Sequence, residues 1–285
     1  MTTEPTSQTA RNHVPVSVII PCYCCADTIG RAVDSVMAQT ALPSEVLLVD
    51  DASPDEGKTR ETLEAVRDRH KNAVRFEVLV MDANGGPAAA RNMAWDSATQ
   101  EFIAFLDADD VWHPRKLEIQ YGWMAAHPSA MLSAHAVDRF GDRPEPRLPA
   151  ASQVAGFSDV WRVSPGRLLW SNCLPTRSVM LRRELPYRFD AAKRRSEDYL
   201  LWLQLIFDGQ PAWRLELPLA SSFSAPYGEA GLTKDLWNME KGELDTFRRL
   251  RRQGRIGAVL LSGLAIFSLG KFARRWIVCL VSGRL

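Results

Sequence analysis

The sequence lacks the patterns that mark several common protein classes. It has no G-x-G-x-x-G and no G-x-x-x-x-G-K-[ST] segment, which counts against a dinucleotide oxidoreductase and a P-loop NTPase. The five histidines form no H-E-x-x-H pair, and the polar first dozen residues contain no apolar h-region, so no secretory signal is expected. These absences count against three enzyme classes that short motifs identify: dinucleotide oxidoreductases, P-loop NTPases and H-E-x-x-H metalloproteases.

Cysteine is also scarce. The five cysteines are an odd number, which fits a reducing cytosol better than a disulfide framework. Cys22-x-x-Cys25 has the spacing of a redox motif or half a zinc site, but no second pair lies at a matching distance in the sequence. We therefore expect neither a zinc site nor a redox centre.

What the chain does contain is a regular alternation of strand-like and helix-like segments. At 285 residues and 46% hydrophobic, it can bury the core of one α/β domain. Apolar β-branched runs predict strands, and segments with apolar residues on one face predict the helices between them. The strands are expected at Pro15 to Ile20, Glu45 to Val49, Arg75 to Met81 and Phe102 to Leu106, and the helices around Ile29 to Met37, Glu61 to Arg69 and Pro87 to Ala98. This pattern indicates a parallel sheet covered on both faces.

Each predicted strand ends in a polar feature. Ligands of such sheets bind outside the carboxyl ends of the strands, where Tyr23, Asp51, the Gly85-Gly86 loop and the cluster from Asp107 to Asp110 all fall. Mg²⁺ or Mn²⁺ bridging phosphates needs only one or two protein carboxylates, and strand spacing would aim Asp107 and Asp109 the same way. The alternative is a solvated acidic turn.

The loop from Asn84 to Pro87 resembles a phosphate-binding helix start. Glycines permit close approach of a ligand, and free amides at a helix N-terminus favour an anion. Arg91 would lie one turn into the helix, available to phosphate or to the nearby carboxylates. An ordinary loop and helix start is the competing interpretation.

Glu197 and Asp198 form a second acidic pair, between the basic run Lys193 to Arg195 and the apolar run Tyr199 to Phe207. A positioned carboxylate can take a proton from an attacking hydroxyl. A first helical turn enriched in acids would look the same.

Taken together, the motifs resemble the family 2 inverting glycosyltransferases of GT-A fold, over about residues 14 to 225. The resemblance rests on five ordered segments: Val18 to Tyr23, Val49 to Ser53, Asn84 to Asn92, Leu106 to Asp110 and Ser196 to Tyr199. It departs from the family pattern at Cys24, where asparagine is common. It implies a GT-A fold with a mostly parallel central sheet flanked by helices.

The resemblance also implies roles for individual residues. Asp109 would ligate a divalent cation, Mn²⁺ or Mg²⁺, and Asp198 would be the catalytic base. The donor nucleotide would contact the remaining candidates, with Pro21, Tyr23 and Asp51 at the base, Gly86 and Arg91 beside the nucleotide, and Asp107 at the ribose. A Gly-Leu-Thr-type loop at Gly228 to Thr233 would fold over the diphosphate.

Four segments are expected along the chain: a loose tail over residues 1–13, a nucleotide-sugar-binding half over 14–112, an acceptor and base half over 113–233, and a helical C-terminal segment over 234–285. The last is strongly basic. Nine Lys or Arg and no Asp or Glu lie from Arg248 to Leu285, whereas the whole chain has a net charge of +1. The uncharged run from Ile256 to Gly270 is short for a spanning helix.

A basic, apolar segment of this length predicts an interfacial helix or helical hairpin on an anionic membrane surface. A helix packed on the domain, or an oligomer contact, is the alternative. Nucleic acid is not an expected partner, since the rest of the chain is acidic and carries no binding motif.

The sequence thus predicts a metal-dependent inverting glycosyltransferase that uses a nucleotide-diphospho sugar, a UDP-sugar by preference, and a glycan or lipid-linked hydroxyl acceptor. Envelope polysaccharide or glycolipid assembly, at the cytoplasmic face of the cell membrane, is the expected setting. A nucleotidyltransferase of the same fold class and a non-catalytic nucleotide-sugar-binding membrane scaffold are the alternatives.

Overall fold

The computed structural model describes residues 12–139, 159–222 and 232–281. In these ranges the strands are β1 (Asn12–Cys22), β2 (Ala41–Asp50), β3 (Arg75–Val80), β4 (Phe102–Phe105), β5 (Asp110–Trp112), β6 (Leu132–Arg139), β7 (Val160–Arg162), β8 (Met180–Arg182) and β9 (Ala212–Ser222). The helices are α1 (Ile29–Met37), α2 (Lys58–His70), α3 (Gly86–Ser97), α4 (Lys116–Ala126), α5 (Pro165–Trp170), α6 (Glu197–Phe207), α7 (Leu232–Arg252) and α8 (Ala258–Val281), with a 3₁₀ turn at Thr176–Ser178. Most of the predicted Gly228 to Thr233 loop lies outside the described residues.

The strands form one sheet in the order β3-β2-β1-β4-β8-β6-β9-β5, with β7 paired to β9. The four strands predicted from the sequence are mutually parallel, with Ile19 opposite Leu47 on one side and Phe105 on the other. Beyond β4 the sheet is mixed, because β8 is antiparallel to β4 and β6, while β6 and β9 are parallel. The predicted alternation of parallel strands and helices is therefore found in the first half of the sheet and not in the second.

Alternate side chains of the central strands enter two separate cores. Ile19 and Leu47 are fully buried on the face covered by α3 and α6, whereas their neighbours Val18 and Val46 are fully buried on the face covered by α1 and α2. Burial on both faces explains the nearly continuous apolar runs in the sequence.

Several element ends differ from the predicted ones. Strand β1 begins at Asn12, two residues inside the segment expected to be a loose tail. Strand β4 ends at Phe105, and the Asp110 amide donates to the Asp107 carbonyl at 3.1 Å, so Asp107 and Asp109 lie in a turn. The expectation that strand spacing aligns these two side chains was wrong, because the strand stops before them.

The C-terminal segment is a pair of packed helices. Ion pairs join α8 to α7, from Lys271 to Glu243 at 2.6 Å and from Arg275 to Glu240 at 3.2 Å. Leu250, Ile256 and Leu264 are buried in the same core as α3 and α6. No helix in the described ranges is long and apolar enough to cross a membrane.

Candidate active site

One cavity of about 670 Å³ opens at the carboxyl ends of β1, β2 and β4. All seven residues that the sequence proposed for the donor line it, namely Pro21, Tyr23, Asp51, Gly86, Arg91, Asp107 and Asp109. Tyr23 is half exposed there, so its ring is available to a planar ligand. The parallel strands account for this convergence, since their carboxyl ends meet at one edge of the sheet.

The Asp51 carboxylate shapes the glycine loop. Its Oδ1 accepts the amide of Gly85 at 2.7 Å, and its Oδ2 accepts the amide of Gly86 at 2.8 Å and the Asn84 side-chain amide at 3.1 Å. The expectation that free amides of this loop hold a ligand anion was therefore wrong for Gly85 and Gly86, because the protein's own carboxylate occupies them. Asp51 keeps about one acceptor position, since a carboxylate has roughly four.

A buried guanidinium joins the two acidic motifs. Arg91 donates to Asp107 Oδ1 at 2.7 Å and to Glu197 Oε1 at 2.9 Å, and it lies 5.5 Å from the centre of the Phe189 ring. Burial and the adjacent Asp198 raise the pKa of Glu197, against the lowering effect of Arg91. Of the two partners predicted for Arg91, the carboxylates are the ones it contacts.

The acidic turn holds three carboxylates in different environments. Asp110 is fully buried and accepts a hydrogen bond from Arg177 at 2.5 Å, and Arg177 also lies 3.9 Å from Asp107 Oδ2. Burial and the neighbouring Asp107 raise the pKa of Asp110 to about 7, although Arg177 opposes the shift. Asp109 is exposed at the cavity wall.

The carboxylates at the cavity could hold a cation only together with the phosphates of a bound substrate. Both Asp107 oxygens face guanidinium groups, which leaves Asp109 as the carboxylate best placed to meet a metal. Within the described ranges, no group of three or more His, Cys, Asp or Glu could hold a metal ion. Mg²⁺ and Mn²⁺ are commonly held by one or two carboxylates together with substrate phosphates, so the residues present are compatible with such a site.

Asp198 lies in the first turn of α6, outside the cavity lining. Thr176 donates its hydroxyl to Asp198 Oδ2 at 2.9 Å, and the Tyr199 amide donates to Oδ1 at 2.7 Å. The helix begins after Ser196, whose φ of 54° is left-handed. Its neighbour Glu197 is bonded to Arg91, which connects this turn to the cavity.

Three arginines at the site were not among the sequence candidates. Arg177 bridges Asp110 and Asp107, and Arg194 and Arg195 line the cavity. The basic run before Glu197 was a visible signal for Arg194 and Arg195. No signal in the sequence pointed to Arg177, because this residue precedes β8 and reaches the acidic turn only through the antiparallel pairing of β8 with β4.

Cys24 adopts a φ of 47°. It occupies the position at which asparagine is common in the family that the sequence resembles. Asparagine enters this left-handed region far more readily than most residues. We expect Cys24→Asn to raise the free energy of unfolding by about 0.5 to 1 kcal/mol without ligand, measured by denaturant titration. Cys24→Ser is the matched control, and an equal gain with serine would contradict the backbone explanation.

Comparison with known proteins adds to this geometry. The family model described as "Glycosyl transferase family 2" matches residues 17–194, a range that includes the seven donor candidates and stops short of Asp198. Among curated proteins, the chain is 33% identical over 193 residues to the UDP-Glc:alpha-D-GlcNAc-diphosphoundecaprenol beta-1,3-glucosyltransferase WfgD of Escherichia coli, covering 68% of this chain and 70% of that protein.

The putative teichuronic acid biosynthesis glycosyltransferase TuaG of Bacillus subtilis is 30% identical over 207 residues, covering 72% of this chain and 77% of that one. Among solved structures, the mannosyltransferase PcManGT from Pyrobaculum calidifontis, in complex with GDP-Man and Mn²⁺, superposes with a TM-score of 0.65 at 20% identity, covering 95% of this chain and 76% of that chain. The structural likeness confirms the GT-A fold expected from the sequence.

Proposed function

The chain belongs to glycosyl transferase family 2 and is a glycosyl-transferring enzyme, and we propose that it moves a sugar from a nucleotide-diphospho sugar to a hydroxyl acceptor with inversion and with the help of a divalent cation. The observation that carries this proposal is that all seven donor candidates line the same cavity. Family membership sets aside the nucleotidyltransferase and the non-catalytic scaffold.

The donor nucleotide would occupy the cavity between Tyr23 and the acidic turn. Tyr23 and Pro21 would pack against the base, and Asp51 has about one acceptor position left for a base N–H. Asp107, fixed by Arg91, would accept from a ribose hydroxyl. The name of WfgD includes UDP-Glc, and PcManGT was solved with GDP-Man, which supports a nucleoside diphosphate donor, with a UDP-sugar our first choice.

Asp198 would act as the base. Its carboxylate would take the proton of the acceptor hydroxyl while that oxygen attacks the anomeric carbon and the bond to the diphosphate breaks, which inverts the centre. The Thr176 hydroxyl and the Tyr199 amide fix the orientation of the carboxylate. A cation held by Asp109 and the phosphates would supply Lewis-acid stabilisation of the leaving diphosphate.

A panel of nucleotide sugars in a thermal-shift assay, with and without Mn²⁺, tests the donor part of this proposal. A ligand that binds only the folded chain raises its melting temperature in proportion to RT ln(1 + [L]/Kd). Transfer is then followed as release of the nucleoside diphosphate, and the anomeric configuration of the product is read by NMR. No shift with any nucleoside diphosphate or its sugars would overturn the proposal, and retention would overturn inversion.

The acceptor and the location are proposed from the relatives and from the C-terminal helices. The names of WfgD and TuaG refer to a diphosphoundecaprenol-linked sugar and to teichuronic acid. We propose that this chain likewise acts on an envelope glycan or lipid-linked acceptor, from the cytoplasmic face of the membrane.

Helix α8 has the exposed apolar face that peripheral binding requires. Val259, Ile266 and Ile277 are 89%, 73% and 55% exposed, on the side opposite the buried Leu264 and Ser268. This arrangement supports an interfacial helix.

The arginines at the end of α7 contribute less than the sequence suggested. Of the five from Arg248 to Arg255, Arg249 pairs with Asp245 and Asp190, and Arg255 pairs with Asp208. Arg248, Arg251 and Arg252 are exposed and have no carboxylate partner in the described part of the chain. Three cations near an anionic leaflet would contribute about 3 kcal/mol, at about 1 kcal/mol each.

Replacing Val259, Ile266 and Ile277 together with glutamine is expected to reduce binding to phosphatidylglycerol vesicles more than 10-fold in a flotation assay, because their burial in the interface is lost. Salt should weaken binding of the unaltered chain by screening its arginines. Deleting the segment is unsuitable, since Leu250, Ile256 and Leu264 belong to the core.

The control for this variant is Val80→Gln with Met93→Gln, which removes exposed apolar side chains elsewhere. If the glutamine triple variant floats as well as the unaltered chain, the membrane anchor is wrong.

A further inference from the structure

Arg194 lies at the donor cavity with an unusual set of partners. Its Nη1 donates to Asn84 Oδ1 at 2.8 Å and its Nη2 donates to the Asn84 carbonyl at 3.1 Å. Both acceptors are neutral. The side chain is exposed, lines the cavity, and has no carboxylate within ion-pair distance among the described residues.

Two other guanidinium groups at the site are paired with carboxylates. Arg91 is paired with Asp107 and Glu197, and Arg177 is paired with Asp110. Both guanidinium groups therefore already have carboxylate partners. Arg194 therefore differs from both in having a positive charge and no anionic partner in the described ranges.

The fold makes room for Arg194 on the glycine loop. A Cβ at Gly86 would lie 2.6 Å from Arg194 Nη1 and 3.2 Å from its Cδ, and Gly86 has a φ of +81°. The positive φ favours glycine here, and the guanidinium lies directly over the position that a Cβ would occupy. The Gly86 amide is bonded to Asp51 and is not available to an anion, whereas the Arg194 guanidinium above it has hydrogen bonds to the neutral oxygens of Asn84.

We propose that Arg194 binds the diphosphate of the donor and stabilises it as the leaving group, exchanging the neutral oxygens of Asn84 for phosphate oxygens. This assignment rests on the proposed function. Charge-assisted hydrogen bonds are roughly twice as strong as neutral ones, and the planar guanidinium matches phosphate in a bidentate manner. As the bond to the anomeric carbon breaks, negative charge grows on the diphosphate, so the contact strengthens toward the transition state.

The test compares nucleoside diphosphate with nucleoside monophosphate binding in the full chain, using UDP and UMP, or GDP and GMP if the guanine pair gives the larger thermal shift. Calorimetry in EDTA removes the contribution of any metal. Arg194→Met is expected to weaken diphosphate binding 10- to 100-fold, equivalent to about 1.4 to 2.7 kcal/mol, while monophosphate binding changes less than about threefold.

Two further variants sharpen the comparison. Arg194→Lys retains the charge but not the bidentate fork, so its loss should be intermediate. Arg188→Met removes an exposed arginine of the same chain segment that pairs with Asp96 and does not line the cavity, and it should leave both affinities unchanged.

Equal losses for diphosphate and monophosphate would overturn the assignment, since Arg194 would then act only through Asn84 and the loop. Unchanged diphosphate affinity in Arg194→Met would overturn it as well. If the unaltered chain itself binds neither UDP nor GDP, the proposed function fails and this assignment fails with it.

Discussion

Asp198→Asn is expected to lower turnover by 10² to 10⁴-fold, about 3 to 5 kcal/mol of barrier, while donor affinity stays nearly unchanged. Asparagine keeps the size of the side chain, and it can keep both orienting contacts if its Oδ1 accepts from the Tyr199 amide while its Nδ2 donates to the Thr176 hydroxyl, which reverses the direction of that bond. It cannot take the proton of the acceptor hydroxyl. Single-turnover transfer assays, with donor affinity measured separately by calorimetry, distinguish these two effects.

Glu197→Gln is the matched control, because it makes the same chemical change one residue earlier. Glu197 accepts from Arg91 in a buried pair, so its amide variant should lose stability, by about 1 to 3 kcal/mol, and lose less turnover than Asp198→Asn. If Asp198→Asn retains the activity of the unaltered chain, or Glu197→Gln is the more impaired in turnover at a temperature where both are folded, the base is a different residue.

The first half of the fold could be predicted because local signals and tertiary structure agree there. Runs such as Val46 to Val49 are buried on both faces of a parallel sheet, so their hydrophobicity marks them as strands without ambiguity. The short strands β5, β7 and β8 have three residues each and no such signal. Their positions depend on antiparallel pairing with β9 and β4, which is long-range information.

The convergence of the donor candidates on one cavity could be predicted for the same reason, since they lie at the carboxyl end of a recognisable strand or in the loop or helix that follows one. The sequence could not predict which charged groups of the site bond to one another. Asp51 occupies the amides of Gly85 and Gly86, and Arg91 is divided between Asp107 and Glu197 from distant parts of the chain. These contacts decide which groups remain for a ligand, and none of them follows from residue spacing.

Asp109→Ala is expected to abolish the tightening of nucleoside diphosphate binding by Mn²⁺ and to reduce turnover by roughly 100-fold or more, because a metal ion typically contributes several kcal/mol to stabilisation of the leaving group. The fold should remain intact, since Asp109 is exposed in a turn and Arg31 donates to its backbone carbonyl, which alanine keeps. Asp107 is a poor substitute ligand, because its oxygens face Arg91 and Arg177.

Calorimetry of UDP with and without Mn²⁺ measures the effect, and Asp82→Ala is the control. Asp82 is an exposed carboxylate that follows β3 at the same edge of the sheet without lining the cavity, so its loss changes the net charge equally. Since the proposed site combines one carboxylate with the phosphates of the nucleotide, Mn²⁺ should bind the unaltered chain weakly without nucleotide and much more tightly with it. Metal dependence that persists unchanged in Asp109→Ala would remove Asp109 from the site and leave the cation to other ligands.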